Sequence, residues 1–169
     1  MDRTSLAPQW LDAEEQQAWR EYLHASRLLE AGMDRDLQAH GLQLSEYEII
    51  AALAEAPNRR LRMSAIADWV VQSRSRLTHT AGRLVARGWV RREACVGDRR
   101  GVELVLTDTG LAASVDAALT HVQSVRANLV GPLSREEFLA LGRAMGAVGR
   151  GIKSKGAVDG VLNAEEQPA

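Results

Sequence analysis

The chain of 169 residues carries a formal net charge of −1, and 46% of its residues are hydrophobic and 25% charged, which is the composition of an ordinary globular protein of about one domain. Its single cysteine, Cys95, excludes an intrachain disulfide and a zinc site built from a cysteine cluster, and its longest apolar run, Ile49 to Ala54, is far shorter than the roughly 20 residues that span a bilayer. No secretory signal is visible near Met1, so we expect a cytoplasmic protein.

A long helix is predicted near the start of the chain, after a short tail of residues 1–11. Asp12 can cap its first turn, and Glu15, three positions later, completes the pattern of a capping pair. Apolar residues then recur with helical spacing, and Gly41 ends the run. The pattern predicts one helix over about 12–40.

Two further helices follow. Ser45 with Glu48 forms the pattern of a capping box, which begins a second helix, and Pro57 stops that helix. Ser64 is placed to cap a short third helix, which we expect to run through about Val70.

The fourth helix and a change of period come next. Ser73 is the expected cap of the fourth helix, which should end at Arg87, with Gly88 as the stop. Residues 90–95 and 102–106 then alternate with the period of two that is typical of strands. These two segments predict a β-hairpin.

The last third returns to helices. Thr107 is placed to cap a fifth helix, which runs to about Val130. Ser134 begins a capping box for a sixth helix, which should end near Gly151. Residues 152–169 are polar and rich in glycine, so we expect a flexible C-terminal tail.

The order of these elements predicts the fold class. The chain should be mainly α with a small β-wing, because two short helices joined by a tight turn are followed at once by a hairpin. That order is the winged helix-turn-helix arrangement. We place this domain at residues 44–106.

Charge along the chain points to the partner. The window 59–100 holds eleven Arg against Asp68, Glu93 and Asp98, a net charge of +8 inside a protein that is otherwise acidic. A concentrated basic block of this kind is the electrostatic mark of a surface that binds a polyanion. Double-stranded DNA is therefore the expected partner.

The fourth helix has two contrasting faces. Leu77, Ala81, Leu84 and Val85 recur at i, i+4, i+7 and i+8 and should form the buried stripe. The other side is polar and basic, as a helix that enters the major groove requires. Its candidate DNA-binding residues are Ser73, Arg74, Ser75, Arg76, His79, Thr80 and Arg83.

The predicted hairpin has a basic tip. Gly97 and Gly101 permit a tight turn around Asp98, Arg99 and Arg100. An arginine at such a tip can enter the minor groove, where the negative potential of DNA is enhanced. Asp98 is expected to pair with a neighbouring arginine and hold its side chain in place.

Several of these segments together resemble the MarR family of bacterial transcriptional regulators, over roughly residues 12–150. The segments that carry the resemblance are Ser73-Arg74-Ser75, Arg87-Gly88-Trp89-Val90, Asp98-Arg99-Arg100 and Leu106-Thr107-Asp108-Thr109-Gly110. The resemblance implies a homodimer on a pseudopalindromic operator, acting as a repressor, often released by a small phenolic or carboxylate ligand or by thiol oxidation.

The resemblance also implies that residues 12–43 and 107–151 form a helical dimerisation region, in which the first, fifth and sixth helices of two subunits interlock. We expect no enzymatic activity, cofactor or metal. The apolar residues expected at this interface are Trp19, Tyr22, Leu23, Leu111, Val115, Leu119, Val122, Phe138, Leu141 and Met145.

Three alternatives stay open at this stage. Cys95 could serve a thiol-based redox switch, although its position on a wing strand favours a small structural residue. The winged helix could instead mediate protein contacts, and that role would not require an arginine-rich face. If a small-molecule effector exists, the candidate residues that bind it are Trp19, Tyr22, Arg27 and Trp69.

Overall fold

The computed structural model describes residues 10–71, 73–95 and 97–165, apart from the side chains of residues 99, 100 and 155–165. The chain divides into two compact units between Ser124 and Val125. The described α-helices and β-strands, in chain order, are α1 (Ala13–Leu37), α2 (Leu44–Glu55), β1 (Arg60–Arg62), α3 (Met63–Trp69), α4 (Arg74–Ala86), β2 (Val90–Cys95), β3 (Asp98–Leu106), α5 (Asp108–Val125) and α6 (Arg135–Glu165). The fold class is mainly α with a small β-wing, as predicted.

The sheet has three antiparallel strands in the order β1-β3-β2. β2 and β3 form the predicted hairpin, in which Arg92 lies opposite Leu104. The sequence prediction missed β1, because a strand of three residues is too short to show alternation. Leu61 of β1 pairs with Leu104 of β3, so β1 is an edge strand of the sheet, and α3 follows it directly in the chain.

Several predicted helix caps are present. Asp12 and Glu15 exchange the two bonds of a capping box at the start of α1. The Ser73 hydroxyl accepts from Arg76 N at 3.3 Å at the start of α4. Local sequence alone therefore sets where α1 and α4 begin.

Two predicted starts need correction. The second helix begins at Leu44 and not with a Ser45–Glu48 box, because Glu46 Oε2 accepts from Gln43 N at 3.0 Å, two positions earlier. The third helix begins at Met63, and its N-cap residue makes no side-chain bond.

The core of the first unit is centred on α2. Ile49, Ile50 and Leu53 are fully buried there, together with Leu37 of α1 and Ala117 of α5. Each such aliphatic side chain contributes about 1.5–3 kcal/mol on burial. Since α1 and α5 share this core, the helices that flank the winged helix are part of the same packed body.

The second unit begins with a short π-helix at 126–130, and α6 follows it. Ser134 and Glu137 form the predicted capping box of α6. α6 continues to Glu165, which corrects the predicted end near Gly151, since an isolated helical glycine costs only about 1 kcal/mol. The flexibility of residues 152–169 and the assignment of 12–43 and 107–151 to dimerisation stay predictions. None of the described helices has the length and apolarity of a membrane span.

The junction of wing and α5 supplies a test of this packing. Thr107 N donates to Trp89 O at 3.0 Å, and Gly110 N donates to Thr107 Oγ1 at 3.0 Å. A Cβ at Gly110 would overlap the Trp89 carbonyl oxygen and lie 2.9 Å from Leu106 Cδ1. We predict that Gly110→Ala lowers the free energy of unfolding by about 1–3 kcal/mol, measured by urea denaturation.

The matched control is Gly82→Ala on α4, where an added Cβ meets nothing within 4 Å. A helical alanine there should be neutral or stabilising by up to about 1 kcal/mol. Equal urea midpoints for both variants would contradict the close packing at Gly110.

Candidate nucleic-acid interface

The exposed face of α4 presents a continuous row of polar side chains. Leu77, Ala81 and Leu84 face the core with at most 1% of their surface exposed. Because these residues fill one side of the helix, the polar residues on its other side project outward. The exposed side chains are Arg74, Ser75, Arg76, Thr78 and His79.

The structure corrects two placements on this helix. Thr80, expected on the exposed face, is 3% exposed, and its hydroxyl donates to Arg76 O at 3.1 Å. Thr80 follows the buried Leu77 by three positions, which places it on the side of the helix that faces the core. Thr78 is exposed and was missed, whereas Val85, expected in the buried stripe, is 38% exposed.

Many arginines of the basic block pair with carboxylates of the protein. Arg60 contacts Glu93 at 3.1 Å and Glu103 at 3.4 Å, and Arg91 contacts Glu93 at 2.6 Å. The hydrogen bond from Arg91 is the main reason that the pKa of Glu93 lies below its usual range. Charge counted along the sequence therefore overstates the cations that this surface offers to a polyanion.

A smaller group of arginines remains available. Arg74 and Arg76 lie on the exposed face of α4, and Arg92 lies on the adjacent strand β2. None of the three forms an ion pair with another described residue. Arg92 Nη2 donates to Thr78 O at 3.1 Å, which holds its guanidinium beside α4. Arg92 belongs to the candidate interface, although sequence reasoning did not select it.

Arg83 forms hydrogen bonds with side chains at the start of α2. Its Nε donates to Glu46 Oε1 at 2.8 Å, and its Nη2 donates to Gln43 Oε1 at 2.6 Å. Arg87, the C-cap residue of α4, donates to Gly41 O at 2.7 Å and stacks 3.5 Å from the Trp89 ring centroid. Both arginines hold α4 against the start of α2.

Asp98 in the wing pairs with an arginine, as expected, but this arginine, Arg62, comes from the strand β1 and not from the tip of the hairpin. Asp98 Oδ2 accepts from Arg62 Nη1 of β1 at 3.3 Å, and Asp98 Oδ1 accepts from Gly101 N at 3.1 Å. Arg99 and Arg100 lie at the start of β3, but their side chains lie outside the described part of the structure.

A cavity of about 410 Å³ lies between the wing and α4. Its lining combines apolar side chains with arginines from three elements and with the carboxylate of Asp98. Since those arginines include two of the available group, the cavity opens beside the candidate interface. Its lining includes Arg62, Met63, Arg74, Leu77, Arg92 and Val102.

The four candidate effector-binding residues do not line one common pocket. Trp19 and Tyr22 stack on each other on α1 with ring centroids 5.8 Å apart, and Trp69 is 65% exposed at the end of α3. Arg27 lines a separate groove of about 940 Å³, which also contains Arg76 and lacks the three aromatic residues.

This groove, formed by α1, the start of α2 and the turn before α4, also contains Glu48 and Glu30. Burial, followed by the charge of Glu30, raises the pKa of Glu48, and the charge of Arg76 opposes that rise. Arg76 therefore lies within electrostatic range of an acidic groove as well as on the exposed face of α4.

Comparisons with known proteins agree with this geometry. A model of the MarR family matches residues 40–101. The HTH-type transcriptional regulator PecS of Dickeya dadantii is 33% identical over 125 residues, which are 73% of this chain and 74% of PecS.

Solved structures extend the likeness over most of the chain. A MarR family regulator from Streptomyces coelicolor, solved in complex with DNA, is 42% identical with a TM-score of 0.82, covering 87% of this chain and 92% of the other. AbsC, a MarR family regulator from the same organism, is 39% identical with a TM-score of 0.81, covering 86% and 98%.

Cys95 provides a test of the wing. Its side chain is 6% exposed, and a Cβ at Gly101 would lie 2.7 Å from its Sγ. Because the thiol is buried, we predict that it reacts with an aromatic disulfide reagent at least roughly tenfold more slowly in the native protein than in denaturant. The Cys95→Ser variant measures the background signal of the reagent, since the chain has one cysteine. A native rate equal to the denatured rate would favour the redox alternative.

Proposed function

The chain belongs to the MarR family of transcriptional regulators, which bind DNA and are not enzymes, and we propose that it acts as a cytoplasmic homodimeric repressor on a pseudopalindromic operator. The observation that carries the proposal is the exposed face of α4. Arg74 and Arg76 project there without an ion pair to another described residue, and Ser75 and His79 are exposed on the same helix.

Arginine on this face suits base recognition. A guanidinium is planar and can donate two parallel hydrogen bonds to O6 and N7 of guanine. Ser73 at the N-cap and Ser75 in the first turn are placed for phosphates or base edges near the helix N-terminus, where the helix dipole favours anions. We assign base contacts to Arg74 and Arg76.

The wing supplies the second contact. We assign Arg99 or Arg100 to the minor groove and Arg92 to a backbone phosphate. Asp98 lies beside these residues and binds Arg62, which supports a role in fixing the wing rather than a direct role in DNA contact. An anion at that position would repel phosphate, so a carboxylate needs its cationic partner.

Exposed apolar side chains support the homodimer. On α5, Val115 and Leu119 are 66% and 65% exposed and, together with Val122, form one stripe at helical spacing. On α1, Trp19 and Tyr22 are about half exposed. Exposed apolar side chains grouped along helices in this way are typical of a protein interface, and a second copy of the chain is the occupant that the proposed symmetric operator requires.

The cavity between wing and α4 supports release by a ligand. Its apolar lining suits an aromatic ring, and Arg74 and Arg92 in the same lining can bind a carboxylate. Asp98, which also lines the cavity, already pairs with Arg62. A ligand held there would occupy arginines that we assign to DNA. Competition for the same cations accounts for release without any change of fold.

We predict strong salt dependence of operator binding. With about four phosphate contacts per subunit, a dimer makes about eight, and the slope of log K against log salt should be near −7. Fluorescence anisotropy across a salt series measures it. A slope shallower than about −2 would count against the reading of this surface as a DNA interface.

Two variants control for charge alone. Arg74→Ala should cost about 1–3 kcal/mol per half-site, because a base contact is lost. Arg59→Ala removes the same charge from an arginine that already pairs with Asp108 at 2.9 Å, so its cost should stay below about 1 kcal/mol. Equal losses would show that only net charge matters.

We predict that benzoate weakens operator binding several-fold, whereas the neutral benzyl alcohol does not, because the site requires a carboxylate. Val102→Phe places a larger side chain on the cavity wall and should abolish the benzoate effect while leaving operator affinity within about threefold. An unchanged benzoate response in this variant would locate the effector site elsewhere.

A further inference from the structure

His79 occupies the middle of the exposed face of α4, one helical turn after Ser75. Its Nδ1 lies 3.1 Å from Arg83 Nη1. A guanidinium carries donors only and stays protonated at all ordinary pH values, so Nδ1 must be the acceptor of this hydrogen bond. A neutral imidazole that accepts at Nδ1 carries its proton on Nε2.

Arg83 is held in this geometry from the other side. Its Nε donates to Glu46 Oε1 at 2.8 Å and its Nη2 to Gln43 Oε1 at 2.6 Å, so all three of its nitrogens have partners. Glu46 is 4% exposed, and a carboxylate buried to that degree depends on its cationic partners. Arg83 therefore cannot turn toward a phosphate without leaving a buried charge poorly paired.

We propose that Glu46 and Arg83 are positioning residues that fix His79 as an Nε2–H donor, so that His79 contacts a base edge that presents an acceptor while Arg83 contacts no phosphate. The inference rests on the proposed DNA binding. It removes Arg83 from the set of DNA contacts and gives His79 a defined chemical preference.

The preference follows from the base edges. In the major groove, N7 of either purine, O6 of guanine and O4 of thymine accept hydrogen bonds, whereas the amino group of cytosine only donates. A histidine locked as an Nε2–H donor can bind the first group and not the amino donor. We assign purine N7 as the atom that His79 reads.

The tautomer is tested first on the free protein. Nitrogen-15 NMR of the imidazole at about pH 8, where an ordinary histidine is neutral, distinguishes a protonated Nε2 from a protonated Nδ1. We expect His79 to be protonated at Nε2 alone. A protonated Nδ1, or an even mixture, overturns the proposal without touching the proposed function.

The base contact is tested by replacing each purine of the operator in turn with its 7-deaza analogue. Wild type should lose about 5- to 10-fold in affinity at the position that His79 reads, and His79→Ala should show no loss at that position. If no position depends on His79, the assignment is wrong. If wild type binds no duplex specifically, the proposed function fails instead.

Variants of Arg83 separate positioning from phosphate contact. Arg83→Met leaves Glu46 buried without its main partner, so the double variant Glu46→Gln/Arg83→Met keeps the test informative if the single variant unfolds. Both Arg83→Lys and the double variant should lose the 7-deaza sensitivity, because neither holds His79, and both should keep the wild-type salt slope.

A phosphate contact by Arg83 predicts the opposite pattern. Lysine would then retain near wild-type binding and sensitivity, and the double variant would make the slope shallower by about 1.8, for two phosphates per dimer. Arg74→Met serves as the control for a residue that we assign to a DNA base. The operator position at which Arg74→Met removes the 7-deaza sensitivity should differ from the position at which His79→Ala removes it.

Discussion

A buried carboxylate, that of Glu46, joins the start of α2 to the outer side of α4. Its Oε2 accepts from Gln43 N at 3.0 Å, its Oε1 accepts from Arg83, and Arg87 approaches to 3.8 Å. Removal of Arg83 would leave this buried carboxylate with the more distant Arg87 as its cationic neighbour, which destabilises the fold. The buried apolar stripe of α4 sets which side chains face outward, and this polar contact adds a second link between α4 and the start of α2.

The arginines of the basic block divide into two roles. Those that contact Glu46, Glu93, Glu103 or Asp98 link secondary elements, as Arg62 links β1 to the wing. Arg74 and Arg92 line the cavity between α4 and the wing, whereas Arg76 is exposed on α4 and lines the groove toward α1 and α2. Among the residues that the structure describes, internal pairing leaves few arginines without an ion pair and links the strands and helices around them, which favours a defined contact geometry over diffuse attraction to any polyanion.

Local rules predicted much of this fold. The caps at Asp12 and Ser73 and the hairpin depend on residues within a few positions of one another, so the sequence displays them directly. Contacts between distant residues were missed. Glu46 and Arg83 are 37 positions apart, and a carboxylate in the first turn of α2 looks like an ordinary capping residue until α4 is packed against it. The sequence accordingly gives no sign that Arg83 contacts Glu46, and the strand β1 and the exposed Thr78 were overlooked.

The central claim, that paired copies of α4 read a symmetric DNA site, is tested most directly by selecting bound sequences from random duplex DNA. Two-fold symmetry places the recognition helices about one DNA turn, roughly 34 Å, apart. The account predicts an enriched inverted repeat whose half-sites are centred about 10 base pairs apart and contain guanine, the base that arginine reads best. Enrichment of no motif, or of a single unsymmetric one, would contradict it.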